Sequence, residues 1–277
     1  MHLLYGYNTP VVRIAHLLTA TPYIATACRP VNQSDLQSQT VRLAKRVADQ
    51  LGISRTEATQ YIEGGWVQVD GVVTELAGTR VAAEQNVILL DGAALVAVEP
   101  VTILFHKPAG VSDTELADPH SGLIDLASCS NEDRSGINFL QRHTRDLKMT
   151  TRLDNDASGL VVLTQDYRII RKLVDDANRI EHELVVDVTE TMKEGGIDLL
   201  QNHASWNGKL LNSLKVSWQS EQRLRFALKG LQAGMIQHLC AQVDIKCVAT
   251  KRLRIGRISL ASLPVGQWRY LAGYERF

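Results

Sequence analysis

Arg152, Asp154 and Asp156 fall within five residues of one another, in the stretch KMTTRLDNDASGLVVLTQD at 148–166. A guanidinium beside carboxylates serves acid–base or nucleophilic chemistry, or it forms a solvated turn with an Asp cap. The surroundings decide between the two. Ala157-Ser158-Gly159 makes a small-residue turn, and the apolar run Leu160-Val161-Val162-Leu163 reads as a buried strand. A charged loop leading into such a strand holds its acids on a rigid edge, where catalytic residues tend to sit. Asp154 and Asp156 are two apart, so in an extended segment they would converge on one face, as a sugar or metal site built on two acids requires.

The bulk numbers bound the function. A chain of 277 residues is long enough for a sizeable core and points to two domains. Apolar residues make up 45% and charged residues 22%, as in ordinary soluble proteins. Lys+Arg and Asp+Glu are 30 each, so any attraction for nucleic acid must come from local basic surface. Four scattered cysteines with no CxxC, and eight histidines with no HExxH, argue against a zinc site or disulfide framework. Free thiols fit a cytoplasmic protein. No run is long and apolar enough to span a bilayer, and no signal peptide is expected.

The elements that must position these residues follow in chain order. Residues 1–40 are rich in Thr, Ser, Gln and Pro and read as an N-terminal extension. Residues 41–98 read as a small module. Leu43, Val47 and Leu51 form one helical stripe ended by Gly52, and Ser54-Arg55-Thr56-Glu57 is a capping box opening a second helix. Asp70-Gly71 signals a hairpin. Residues 99–277 read as a larger unit, with strands at 101–105, 160–163, 184–188, 209–218, 223–228 and 255–260 and helices at 167–174 and 235–243. A short helical piece is expected near 136–145. The fold class is α+β, on a largely antiparallel sheet.

The module VRLAKRVADQLGISRTEATQYIEGGWVQVDG at 41–71 resembles the S4 RNA-binding domain. Arg42, Lys45, Arg46 and Arg55 then fall on or near the two helix starts, where they would meet RNA phosphates. Three further matches follow: KPAGVSDT at 107–114, RLDNDASGLVVLTQD at 152–166 and KRLRIGRISLASLPVGQWRYL at 251–271. In that order, behind an S4 module, they resemble the RsuA-like family of pseudouridine synthases, nearest its ribosomal large-subunit branch. The resemblance implies that the chain isomerises uridine to pseudouridine in structured RNA, ribosomal RNA above all, as a monomer without cofactor or metal. It assigns the catalytic carboxylate to Asp154 and the side chain that fills the gap left by the flipped base to Arg152. Lys107 is expected to support the catalytic loop.

Three departures from the family pattern matter, the mildest being Thr151 and Ala157 in place of the usual Gly and Ser/Thr around the RLD core. Where the family has a Tyr in a K-x-Y-x-V strand, HELVVDV at 182–188 puts Leu184, with His182 at the Lys; a shifted register would put Glu183 or His182 there instead. His182 is then a substitute proton carrier or simply a surface residue at a strand start. Where the family has a basic helix that supplies a partner for the carboxylate, this chain has GLQAGMIQHLC at 230–240. Arg252 and Arg254 are expected to replace part of that charge. The alternative reading is a catalytically impaired paralogue that binds RNA or assists ribosome assembly.

Overall fold

The computed structural model describes residues 40–95, 99–189 and 191–277. The expected N-terminal extension, apart from Thr40, lies outside them. Residues 41–277 form one compact unit.

The first elements are β1 (Val41–Arg42), α1 (Leu43–Leu51), α2 (Arg55–Glu63), β2 (Val67–Val69), β3 (Val72–Val73), β4 (Arg80–Val81) and β5 (Val87–Leu89). The capping box forms as its spacing predicts: the Ser54 hydroxyl accepts from the Glu57 N–H and the Glu57 carboxylate accepts from the Ser54 N–H. β3, β2 and β5 make an antiparallel sheet in that order, and Asp70-Gly71 turns β2 into β3. Leu43, Val47, Ala58, Ile62, Val67 and Val87 close a small core of their own.

The larger elements are β6 (Thr102–Lys107), α3 (Asp113–Ala117), β7 (Lys148–Met149), β8 (Ser158–Thr164), α4 (Tyr167–Val174), β9 (Glu181–Val188), α5 (Gly196–His203), β10 (Ser205–Trp206), β11 (Lys209–Leu210), β12 (Lys215–Ser220), β13 (Arg223–Lys229), α6 (Met235–Ala241), β14 (Cys247–Ile255), β15 (Ile258–Ser259) and β16 (Trp268–Tyr270). The sheet runs β12-β13-β9-β14-β8-β6-β16, with β15 on β14 and β7 on β8. Every pairing is antiparallel except β14 with β8. This is the α+β architecture that the strand-rich pattern predicts. The expected strand over 209–218 is instead two pieces, β11 and β12. The expected helical piece at 136–145 shrinks to one 3-10 turn, Gln141–Thr144. Among the described residues no helix is long and apolar enough to cross a membrane.

β8 is buried from Gly159 to Thr164 because apolar clusters cover both faces. Phe105, Val161, Leu163 and Trp268 pack on one side, and Leu104, Leu160, Val162 and Ile255 on the other. Gly159 is paired with Lys107 of β6 across one edge and with Arg252 of β14 across the other. Its φ is +114°, and a Cβ there would lie 2.3 Å from the Arg252 carbonyl oxygen. Only glycine permits that approach. Gly159→Ala is therefore expected to destabilise the fold by about 3 kcal/mol or more, from backbone strain plus overpacking, measured as a shift in the urea midpoint.

Candidate active site

The loop 150–157 enters β8 carrying the charged cluster. Its backbone carbonyls point inward and have no ladder partner, so buried donors must meet them. Lys107, at the end of β6, is fully buried. Its Nζ donates to the carbonyls of Asp154 (3.2 Å), Asn155 (3.0 Å), Ala157 (2.8 Å) and Pro108 (3.2 Å). Arg252, on β14, is fully buried too. It donates from Nε to Leu160 O at 2.6 Å, from one terminal nitrogen to Arg152 O at 2.9 Å and from the other to Thr151 O at 2.7 Å. Burial pushes the Lys107 ammonium below its ordinary pKa and Arg252 down to about 9; the carboxylates of Asp113 and Asp154 oppose both shifts. Two cations thus fix the loop from behind.

The loop turns at 154–157, with the Ala157 N–H donating to Asp154 O at 3.0 Å. This turn separates the two acids. Asp156 is exposed, and Asp154 is half-buried; the segment is not extended, so the convergence expected for a two-acid site does not occur. The Asp154 carboxylate instead faces a narrow cleft lined by Arg152, Leu153, Leu184, Leu231, Gln232, Ala233, Ile236 and Thr250. One main-chain donor reaches it: the Gly234 N–H lies 3.0 Å from Oδ1 and 3.2 Å from Oδ2. Gly234 has φ +74° and precedes the first turn of α6.

That contact was not legible in the sequence, where 230–240 reads only as a helix stripped of arginines. The expected replacements behave differently. Arg252 serves the loop carbonyls and not the carboxylate side chain. Arg254 is not among the cleft residues; it donates to Glu183 Oε2 at 2.9 Å, to Glu181 Oε1 at 2.7 Å and to Gly256 O. The physical reason is strand alternation: residues two apart share a face, but the bulge between Arg252 and Arg254 turns Arg254 toward the acids of β9. Glu183 also receives Arg225 at 2.7 Å, so it belongs to this ion-pair group and not to the cleft.

Leu184 is fully buried, lines the cleft and stands opposite Arg252 across β9 and β14. The ungapped register therefore places Leu184, and neither Glu183 nor His182, beside Asp154. His182 is buried, which corrects the expectation of a surface residue. Burial, with Arg252 and Arg254 nearby, lowers its pKa to about 3, and its Nδ1 has no partner among the described residues. A neutral, enclosed imidazole is a poor proton carrier at neutral pH. Arg152 extends into solvent, and its Nε lies 3.7 Å from Asp113 Oδ2 at the start of α3. Asp113 lies within the KPAGVSDT stretch, but nothing in that pattern marks it as a neighbour of Arg152.

Away from the cleft, Lys45 and Arg46 line one groove with Gln50, Gln85 and Asn86, although Asp49 shares it. Arg42 and Arg55 are exposed but do not line that groove. Among the described residues no cluster of His, Cys, Asp or Glu is arranged to hold a metal ion.

Comparison with known proteins defines the class. The fold is that of a pseudouridylate synthase crystal structure, with a TM-score of 0.51 at 19% identity, covering 84% of this chain and 96% of that one. Residues 101–225 match the RNA pseudouridylate synthase family model. An uncharacterized RNA pseudouridine synthase of Mycobacterium bovis is 30% identical over 85% of this chain and 91% of its own. The dual-specificity RNA pseudouridine synthase RluF of Escherichia coli K12 is 26% identical over 87% of this chain and 78% of its own. Ribosomal small subunit pseudouridine synthase A of Vibrio cholerae is 26% identical over 85% and 97%. The chain belongs to the RsuA-like family of RNA pseudouridine synthases.

Two consequences can be measured. Arg252→Met leaves three carbonyls without their donor, two of them buried, and at ~1–3 kcal/mol for each buried one a loss of about 2 kcal/mol or more is expected in urea unfolding. His182 is neutral when folded and protonates near pH 6.5 when unfolded. The unfolded state therefore binds the extra proton between about pH 6.5 and about pH 3, and stability falls as pH drops through that window. His182→Leu should reduce the slope of stability against pH there by about one proton, read from unfolding curves at several pH values.

Proposed function

We propose that this chain isomerises uridine to pseudouridine in structured RNA, foremost ribosomal RNA, with Asp154 as the reacting carboxylate and without a cofactor. The observation that carries this reading is the Asp154 carboxylate at the cleft, fixed from behind by Lys107 and Arg252. A fixed carboxylate is what a reaction at the ribose–base bond needs, because a displacement of about 1 Å can cost ~10²-fold in rate. The target base leaves its stack to reach the cleft. Leu184 and Ile236, both buried, form the apolar wall behind Asp154. The C1′–N1 bond breaks, C5 bonds to C1′, N1 gains a proton and C5 loses one. The Gly234 N–H supports the charge of Asp154 where the family uses an arginine. Arg152, exposed beside the cleft, is the side chain suited to fill the gap in the stack.

Residues 41–98 act in this reading as an S4-like RNA-binding module, with Lys45 and Arg46 on phosphates and Arg42 and Arg55 assisting. Residues 99–277 carry the chemistry. The same reading takes the protein as a monomer, and ribosomal RNA as substrate suits the cytoplasm. A second reading, an RNA-binding paralogue without turnover, rests on Leu184 standing where the family has Tyr.

Mass-spectrometric maps of ribosomal RNA from cells with the wild-type gene, a deletion and Asp154→Asn decide between the readings. The expected outcome is at least one pseudouridine lost in both the deletion and the variant. Three identical maps would overturn the enzymatic reading. Lys45→Ala with Arg46→Ala should weaken binding to ribosomal RNA fragments and lower the slope of log affinity against log salt by about 1–2.

A further inference from the structure

The geometry points to Gln232 as the residue that selects uracil in the Asp154 cleft, held in its selective orientation by Trp206; this rests on the proposed function above. Gln232 lines the cleft together with Asp154, Leu184 and Thr250. It is two residues from Gly234, whose N–H meets the Asp154 carboxylate. The Trp206 Nε1–H lies 3.1 Å from Gln232 Oε1. An indole N–H only donates, so the atom that it meets must be the amide oxygen. This settles which way the amide faces, a choice that otherwise has two answers. The oxygen is engaged, and among the described residues nothing accepts from the amide nitrogen. Gln232 thereby keeps both amide N–H donors unclaimed among the described residues, while its oxygen is turned to Trp206, which does not line the cleft.

Uracil presents carbonyl oxygens at C2 and C4, whereas cytosine carries an amino group at C4. An amide that presents its nitrogen to the base bonds the carbonyl and opposes the amino group. Trp206 is itself held, with its ring edge-on to His238 at 5.2 Å and 78°. His238, on α6, lies 3.2 Å from Ser205 O. Trp206 is thus a positioning residue, and Gln232 is the group that touches the base.

The test uses full-length protein on ribosomal RNA extracted from cells that lack the gene, with pseudouridine formation followed in single turnovers. Gln232→Ala should lower the rate about 5- to 20-fold, the worth of one hydrogen bond. Gln232→Glu keeps an acceptor for Trp206 but turns a second oxygen on the uracil carbonyl, and should lower the rate about 100-fold or more. Trp206→Phe should cost about 5- to 10-fold alone and nothing further in the Gln232→Ala background, because the two act as one unit. Filter binding of the same RNA should stay at wild-type values in all three, since phosphate contacts dominate affinity, and the melting temperature should stay so in the two Gln232 variants, since Gln232 is exposed. Wild-type rates in Gln232→Ala and Gln232→Glu, beside an inactive Asp154→Asn, would overturn the role of Gln232 and leave the enzymatic reading standing. A fall in RNA affinity that accounts for the lost rate would make Gln232 a general RNA contact and also overturn it. Wild-type protein that forms no pseudouridine would remove both.

Discussion

Two buried cations hold one loop by its backbone. A loop of this kind would ordinarily run over the surface, where water satisfies its carbonyls. Here Lys107 and Arg252 replace that water. Desolvating two positive charges is costly, and neither has a direct carboxylate partner in its hydrogen-bond set. The arrangement stands because each charge is surrounded by carbonyl dipoles, with Asp113 and Asp154 close enough to oppose the loss of charge. Removing either cation would both orphan several carbonyls and free the turn that presents Asp154.

The sheet makes those cations meet. Lys107 and Arg252 lie on different strands, about 145 residues apart in sequence, yet both are paired with Gly159. The parallel pairing of β14 with β8 is the exception in an otherwise antiparallel sheet. It lets two separate motifs converge on the loop that precedes β8. The hydrophobic clusters on the two faces of β8 then bury the junction. Local sequence, sheet register and loop geometry depend on one another, and the position without a side chain is where they are joined.

Much of this was legible in the chain. The capping box at Ser54, the hairpin at Asp70-Gly71 and the apolar run before Thr164 are local signals, and each forms where its pattern places it. The cleft position of Leu184 was legible as an ungapped register. What the chain could not tell is long-range. The turn that splits Asp154 from Asp156 is fixed by Lys107, which lies 47 residues earlier. Arg254 shares a strand with Arg252, but a bulge sends it to Glu181 and Glu183. His182 sits at a strand start, yet β13 and β14 flank it on both sides. Side-chain chemistry marks candidates in a sequence; pairing partners decide which of them face a cleft.

The donor on Asp154 belongs to the main chain, at Gly234. A side-chain partner can be erased by almost any codon change, whereas an amide hydrogen is lost only to proline. The electrostatic support of this carboxylate therefore asks of the residue that provides it no particular side chain, only the positive φ of this turn, which glycine adopts most readily. Sequence drift along 231–240 can be extensive before that support is touched, provided the backbone keeps its turn. A search of distant relatives for the arginine alone would pass over chains that meet the same need with a peptide bond.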